Sequence, residues 1–494
     1  MTADKPTTLV RLERGFTGSI LLLALAAPLS IAATQTAWSL ALLFWLLRLV
    51  YVRPSFARDG ISIVVLVFVG LTLISSIFSY EPEVSLRKMV GVSLVSITFL
   101  VASAVKTESL RRTVTIILIT SATFSAIYSI ANTAIGRNLK VVKMTAESHL
   151  RSIGIEENDT IQKADGVSVS SPEELAKAIH ANSSDGVVEI TVYRYEIIRK
   201  FTFLVGFISP PANDPSFLGI TEWSRGRDVR AAGFYGHYTT FAEALQLVGS
   251  FAFGLLILVP GALFARRRLL LAASLALISV AQFLTVTRAS WVGFALSAAM
   301  IVLVGASRKV IIICILVAIP LAAGGVYYLQ QKRNVAFVDA KDGSTTWRTA
   351  VWREAVGVLV SEPRHLAVGI GMDSIKKHWQ DWGMFDKGHL PMGHMHSNPL
   401  AFAFERGIPT LIAWIIWMSL YLRMLWRGVR MTASPWLERG IMLGCLGGTV
   451  GFLAAGLVHY NWGDSEVVMI FYLLMGIGIS ASRKGEDSEL THAT

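Results

Sequence analysis

Apolar runs of roughly twenty residues recur about twelve times along this chain, and that repetition constrains its fold more than any single motif. A bilayer core of ~30 Å takes roughly 20 helical residues to cross. With 53% hydrophobic residues among 494 positions and a mean hydropathy of +0.54, most of the chain is at home in lipid. The expected helices are Gly15–Thr34, Thr36–Val52, Ile61–Phe78, Val84–Val105, Thr113–Ile135, Tyr238–Pro260, Leu269–Val286, Trp291–Ala306, Val310–Tyr328, Pro399–Leu422, Gly440–Val458 and Val467–Ala481. The fold class that follows is mainly α, a polytopic membrane protein.

A formal charge of +11 would point a soluble protein toward nucleic acid. Here the basic residues gather at span ends, so no nucleic-acid partner is expected. Arg48 with Arg53 and Arg58, Lys106 with Arg111 and Arg112, Arg266-Arg267-Arg268, Arg308-Lys309, Arg423 with Arg427 and Arg430, and Arg483-Lys484 occupy alternate loops. The positive-inside rule makes that side cytoplasmic, together with both termini. Cys314 and Cys445 lie within apolar runs, so no disulfide framework is indicated. Leu21–Thr34, preceded by Arg11 and Arg14, has the look of a signal peptide, but the many spans behind it favour an uncleaved first helix.

This orientation puts two long polar segments, Gly136–His237 and Leu329–Asn398, on the outer face. The turns Thr287–Ser290 and His459–Glu466 join them there. Neither ATP nor a nucleotide-sugar is available on that side. A reaction there must use a pre-activated donor.

Asn138–Phe207 breaks the hydropathic pattern and reads as short strands and one helix. Ser171-Pro172-Glu173-Glu174 is a helix start, with proline in the first turn and acids at the positive end of the dipole. Asp165-Gly166 suits a tight turn, and Val188, Ile190 and Val192 alternate as a half-buried strand does. Together with Gly154–Ile161 and Gly186–Arg194 these residues resemble a bacterial PDZ domain. The resemblance implies a small α+β module that captures an extended peptide or protein strand. A structural spacer is the alternative.

The chemistry-bearing residues sit beside the outer span ends. Arg225, Arg227, Arg230, Arg288, Arg348 and Arg353 supply fixed cations whose planar forks suit phosphate. Arg288 interrupts the apolar run Phe283–Val292 in a turn too short to be a solvated loop; a headgroup-snorkelling role is its alternative. For Arg225 and Arg227 the favoured reading is a solvated loop charge. His396 stands just before the apolar run that holds Glu405, and a neutral imidazole there is suited to taking a proton from a hydroxyl. Capping of the following helix is its bland alternative. His237 and His459 are further candidates, and Glu405 reads as a partner for an arginine or for exposed amides. His389, His394 and His396 lack a nearby cysteine to complete a ligand set, so no metal and no other cofactor is expected.

Three stretches together resemble the O-antigen ligase family of integral membrane glycosyltransferases, which includes O-antigen polymerase-like members. They are Arg230-Ala-Ala-Gly-Phe-Tyr-Gly-His237, Thr287-Arg288-Ala-Ser-Trp291, and Arg348-x-x-x-Trp352-Arg353 followed by His396-Ser-Asn-Pro-Leu-x-x-x-x-Glu405-x-Gly407. Ser397 separates His396 from the asparagine that the family commonly places directly after it, and His237-Tyr-Thr stands where His-Pro-Asn is usual. The resemblance implies a GT-C-like fold in a bacterial inner membrane with a periplasmic active site. It implies a donor glycan on a polyprenyl-pyrophosphate, gripped by Arg230, Arg288, Arg348 and Arg353. Arg288 and His396 would be catalytic, with His396 the base in an inverting, metal-independent transfer, and His237 and Glu405 would support them. The acceptor would be a hydroxyl of lipid A core, of another glycan repeat, or of a protein. A polytopic transporter is the non-enzyme rival. The expected organisation is N-terminal membrane helices (1–136), the PDZ-like insertion (137–210), central membrane helices (211–329), a catalytic loop (330–398) and C-terminal membrane helices with a short tail (399–494).

Overall fold

The computed structural model describes residues 7–52, 59–181, 186–194, 197–204, 214–227, 230–262, 264–333, 343–431 and 434–492. Arg53 and Arg58, counted above among the cytoplasmic basic residues, lie outside these. The chain divides into two compact units, Met1–Ala126 with Ala232–Thr494, and Ile127–Ala231.

The larger unit is helical. Its first part comprises α1 (Thr7–Ala26), α2 (Ile31–Arg48), α3 (Gly60–Ile77), α4 (Pro82–Ser93), α5 (Ser96–Ala104) and the start of α6 (Glu108–Ile135). Pro28 and Ser30 interrupt the expected first span Gly15–Thr34. Ser30 caps α2 by accepting from the amide of Ala33, so the run is divided between two helices. Among the described residues nine helices are long and apolar enough to cross a membrane, with α4 and α5 counted as one span.

The second part of this unit brings α9 (Tyr238–Leu258), α10 (Arg266–Leu284), α11 (Arg288–Gly305) and α12 (Arg308–Arg333). The polar loop follows as α13 (Gly343–Ser361), α14 (Pro363–Val368), α15 (Ile375–His378) and α16 (Met384–Lys387). The chain ends with α17 (Asn398–Arg406), α18 (Ile408–Arg430), α19 (Trp436–Ala455) and α20 (Ser465–His492). Helices α9 and α19 approach through glycine. A Cβ on Gly254 would lie 2.2 Å from the backbone nitrogen of Gly444, so only hydrogen fits between them. Such contacts gain dispersion energy where lipid offers no hydrophobic drive for helices to associate.

The expected span Pro399–Leu422 is not one helix. Gly407 adopts φ +82°, which ends α17, and Pro409 then opens α18. A side chain at Gly407 would meet the carbonyl of Ala367 at 2.5 Å. Glu405 therefore belongs to a short buried helix that precedes the span, where the sequence had put it within the apolar run Pro399–Leu422.

The smaller unit is α+β. Strands β1 (Arg137–Met144), β2 (Thr160–Ala164), β4 (Val187–Arg194), β5 (Ile197–Leu204) and β6 (Ile220–Gly226) form a sheet in the order β5-β4-β2-β1-β6, and β3 (Val167–Ser168) pairs with β2. All pairings are antiparallel. Helices α7 (His149–Ser152) and α8 (Pro172–Ala181) complete it. Asp165 and Gly166, both at positive φ, form the two-residue turn between β2 and β3. Ser171 caps α8 through the amide of Glu174, as the Ser-Pro-Glu-Glu sequence demands. Leu139, Ile161, Leu175, Ile179, Val188, Ile190 and Val192 build the core. The sheet extends past the boundary expected at residue 210, because β6 pairs along β1.

Candidate active site

The loop before α17 is held by α13. Trp352 Nε1 donates to the carbonyl of Met395 at 2.6 Å, and Trp347 Nε1 donates to that of Pro391 at 3.0 Å. The Glu354 carboxylate accepts from the amides of Phe385 and Asp386 at 2.7 and 3.0 Å, which fixes two residues at positive φ. His396 is itself at φ +47°, an uncommon conformation for a residue other than glycine and one that clusters at functional sites.

Two buried asparagines tie this loop to the α19–α20 turn. Asn398 Nδ2 donates to Asn461 Oδ1 at 2.6 Å, and Asn398 Oδ1 accepts from the amide of Trp462. Asn461 Nδ2 in turn donates to the carbonyl of Phe452. This brings His459 to His396. Ring centroids are 4.3 Å apart for His394 and His396, and 5.7 Å for His396 and His459. Trp347 meets His396 edge-on at 5.0 Å.

The second layer is acidic. His459 Nδ1 lies 2.9 Å from Oε1 of Glu243, whose carboxylate is buried on α9. Thr240 Oγ1 donates to Asp464 Oδ2 at 2.9 Å and lies 3.3 Å from His237 Nδ1. Tyr460 donates to Glu405 Oε2 at 3.3 Å. A cavity of about 280 Å³ opens beside this layer, lined in part by Lys88, Asp373, His394, Glu405, Tyr460 and Asp464.

These surroundings sort the histidines. Loss of water is the main cause that lowers His396, to about 3, and repulsion between its charged form and His394, His459 and Arg348 lowers it further. His394 keeps an exposed edge, yet burial of the rest of its ring and the charge of His459 lower it to about 4. Burial pulls His459 the same way, but Glu243 outweighs it and the net shift is upward. Asp464 is raised to about 6 by burial and by the neighbouring Glu243. Glu405 is raised by burial, with Arg406 partly offsetting it. The cluster thus sets two imidazoles of lowered proton affinity beside one whose affinity is raised.

The arginines are distributed unevenly. Arg348, half-buried on α13, is close enough to act electrostatically on both His396 and His459. Arg353 lies on the same helix and is exposed. Arg288 is the first residue of α11, so the expected turn Thr287–Ser290 is instead the start of a helix. That start is held by Gln282, whose Nε2 donates to the carbonyl of Ser290 at 3.1 Å and whose own carbonyl accepts from Trp291 Nε1 at 3.2 Å. Val286 before it sits at φ +52°, a strained conformation for a β-branched residue. Arg230 belongs to the smaller unit and is half-buried, while Arg225 and Arg227 are exposed there. His237 is exposed at the N-cap of α9. Among the described residues no group of three or more His, Cys, Asp or Glu is placed to hold a metal ion.

Glu243, Asp464, Asn398 and Asn461 were not singled out from the sequence as functional. A usable signal existed for Glu243, since an acid inside an apolar run needs a partner. The asparagine pair is separated by 63 residues and left no such mark.

These features define a multi-pass membrane protein with a polar, histidine-bearing site at the ends of its helices. Residues 273–415 match the family model described as O-antigen ligase. The matched stretch includes Arg288, Arg348, Arg353, His396 and Glu405. No curated protein matches the chain. The family points to a membrane glycosyltransferase-like enzyme.

Proposed function

We propose that this protein transfers a glycan from a polyprenyl-pyrophosphate carrier to an acceptor hydroxyl on the periplasmic face of a bacterial inner membrane. About twelve spans with cytoplasmic termini would carry the site. The juxtaposition of His396, Arg348 and the His459–Glu243 pair is the observation that carries this reading.

In this mechanism the acceptor oxygen attacks the anomeric carbon, the bond from that carbon to the phosphate oxygen breaks, and the pyrophosphate leaves on its carrier. The anomeric configuration inverts. Arg288 and Arg348, with Arg353, neutralise the departing charge, the part a divalent cation plays in many such reactions. The acceptor's proton goes to His396. Its Nδ1 is buried without a hydrogen-bond partner, so Nε2 is the nitrogen that meets the hydroxyl. An imidazole lowered to about 3 is a weak base in the empty site. A bound pyrophosphate offsets the positive charge of Arg348 and His459, which makes the proton easier to hold. The base therefore strengthens when the donor arrives.

Glycan-repeat polymerisation and transfer to protein use the same chemistry. The smaller unit favours a protein as acceptor or assembly partner, since its edge strands β5 and β6 offer unpaired backbone to an extended peptide. A transporter is disfavoured because the ionisable side chains found within spans, such as Glu243, Arg111 and Glu438, stand in the first two turns of their helices and not at mid-span. The direct test supplies membranes with a lipid-linked glycan and acceptor, with and without chelator. Chelator-resistant transfer lost in both His396→Ala and Arg288→Ala supports the mechanism; transfer retained in either variant removes that residue from it.

A further inference from the structure

A second cavity, about 600 Å³, lies where α3 begins and α18 ends, beside Ile479–Arg483 of α20. Arg423, Arg427 and Arg483 line it, with Asp59 as the acid and Leu420 and Ile479 among the apolar lining. We propose that this cavity binds the anionic headgroup of a membrane phospholipid.

The contrast with neighbouring cations carries the inference. Arg111, which hydrogen-bonds Ser480 on α20, is buried against Glu438 at 3.0 Å. Arg112 pairs with Glu108 at 3.0 Å, Arg430 lies over the Trp426 ring at 4.6 Å, and Arg439 donates to the carbonyl of Val429. Each of these has a use within the fold. Arg423 and Arg427, one turn apart on α18, make no ion pair among the described residues, although Asp59 lines the same cavity. Asp59 is already engaged, since it caps α3 through the amide of Ser62 at 2.7 Å and lies 3.5 Å from Arg483. Three guanidinium groups thus face one occupied carboxylate.

Guanidinium forks bind phosphate oxygens in pairs, and basic pockets between membrane helices hold anionic headgroups for that reason. A lipid is favoured over free phosphate by the lining and by what adjoins it. Leu420 and Ile479 give the cavity an apolar side, and α3 presents Ile63, Leu66 and Val67 to the exterior from one turn beyond Gly60. Acyl chains have a surface to follow; an inorganic anion would have no use for one.

The test is native mass spectrometry on the full-length protein, delipidated and then offered phosphatidylglycerol, phosphatidylcholine or inorganic phosphate. Phosphatidylglycerol is expected to be retained preferentially, with about a fivefold loss for each arginine removed. The double variant Arg423→Gln/Arg427→Gln should lose most retention, and Arg423→Lys/Arg427→Lys should keep part of it. Asp59→Asn can still accept the cap hydrogen bond while removing the competing charge, so it should raise retention. Equal retention of the two lipids, unchanged retention in the double glutamine variant, or displacement by phosphate at matched concentration overturns the proposal. Should the double variant fail to fold, a fall in retention in Asp59→Asn would do the same. Transfer activity serves as a separate reading, because none of these residues belongs to the histidine site.

Discussion

His459 Nδ1 lies 2.9 Å from Oε1 of Glu243, a carboxylate buried on a membrane-spanning helix. An acid in that position is costly unless something uses it. Here it raises the proton affinity of His459, and charge on His459 in turn lowers that of the adjacent His396. One buried acid therefore bears on two imidazoles.

Replacing Glu243 by Gln tests this chain of influence. His459 should fall toward or below its ordinary value near ~6.5, and His396, relieved of a positive neighbour, should rise. The acid limb of the transfer rate should move to higher pH in the variant. A pH–rate profile of kcat/KM that superimposes on the parent's would rule the coupling out.

His396→Ala should lower transfer by ~10²–10⁴-fold, the usual worth of a positioned base. Arg348→Ala removes a charge-assisted contact of about 1.5–3 kcal/mol, or roughly ten- to a hundredfold in kcat/KM for the donor. Steady-state kinetics with varied donor and varied acceptor separate the two roles. A His396→Ala enzyme with parental turnover would exclude it as the base.

Stability should also depend on pH with a predictable sign. His394 and His396 are lowered in the folded protein, so the unfolded chain binds more protons below the ordinary histidine value near ~6.5. They contribute stability above that pH that is lost progressively as it falls toward about 3. His459 is raised and acts oppositely, with its contribution full below ~6.5 and lost as pH rises through its folded value. In His394→Gln/His396→Gln the fall in thermal midpoint from pH 6 to pH 5 should therefore be shallower than in the parent. An equally steep fall would show that His394 and His396 do not carry it.

Asn398→Ala should destabilise the site without touching a charge. It leaves Asn461 and the Trp462 amide short of partners, at about 1–3 kcal/mol for an unsatisfied buried group. A lower thermal midpoint with reduced turnover is expected. Unchanged values for both would mean that the asparagine pair does not join the loop to the α19–α20 turn.

In the smaller unit, Arg194 bonds both oxygens of Asp159, at 2.7 and 2.6 Å, in a buried fork. Asp159→Ala leaves the guanidinium with only Glu156 and the Gly154 carbonyl and should cost about 3 kcal/mol. Limited proteolysis of the whole protein should then cut within residues 137–226. If transfer survives such loosening with the same acceptor range, a role for this unit in acceptor choice is lost.

Much of the fold was legible along the chain because it follows from local demands. Apolar runs announced the helices, Ser171-Pro172 announced α8, and Asp165-Gly166 announced its turn. Breaks within apolar runs were harder to see. Pro28 and Gly407 end or divide helices by backbone geometry, and hydropathy averages pass over them. The loop histidines were visible as polar residues beside a span, but nothing along the chain distinguished a lowered imidazole from a raised one.

By itself the sequence determined that the chain is a membrane protein and which residues could do chemistry. It did so because hydrophobic length and residue type are properties of short segments. Tertiary structure alone decided that His459 meets Glu243, that Asn398 grips Asn461, and that His396 lies beside Arg348. Proton affinity depends on charge and water within a few ångströms, and those neighbours come from helices far apart in the chain.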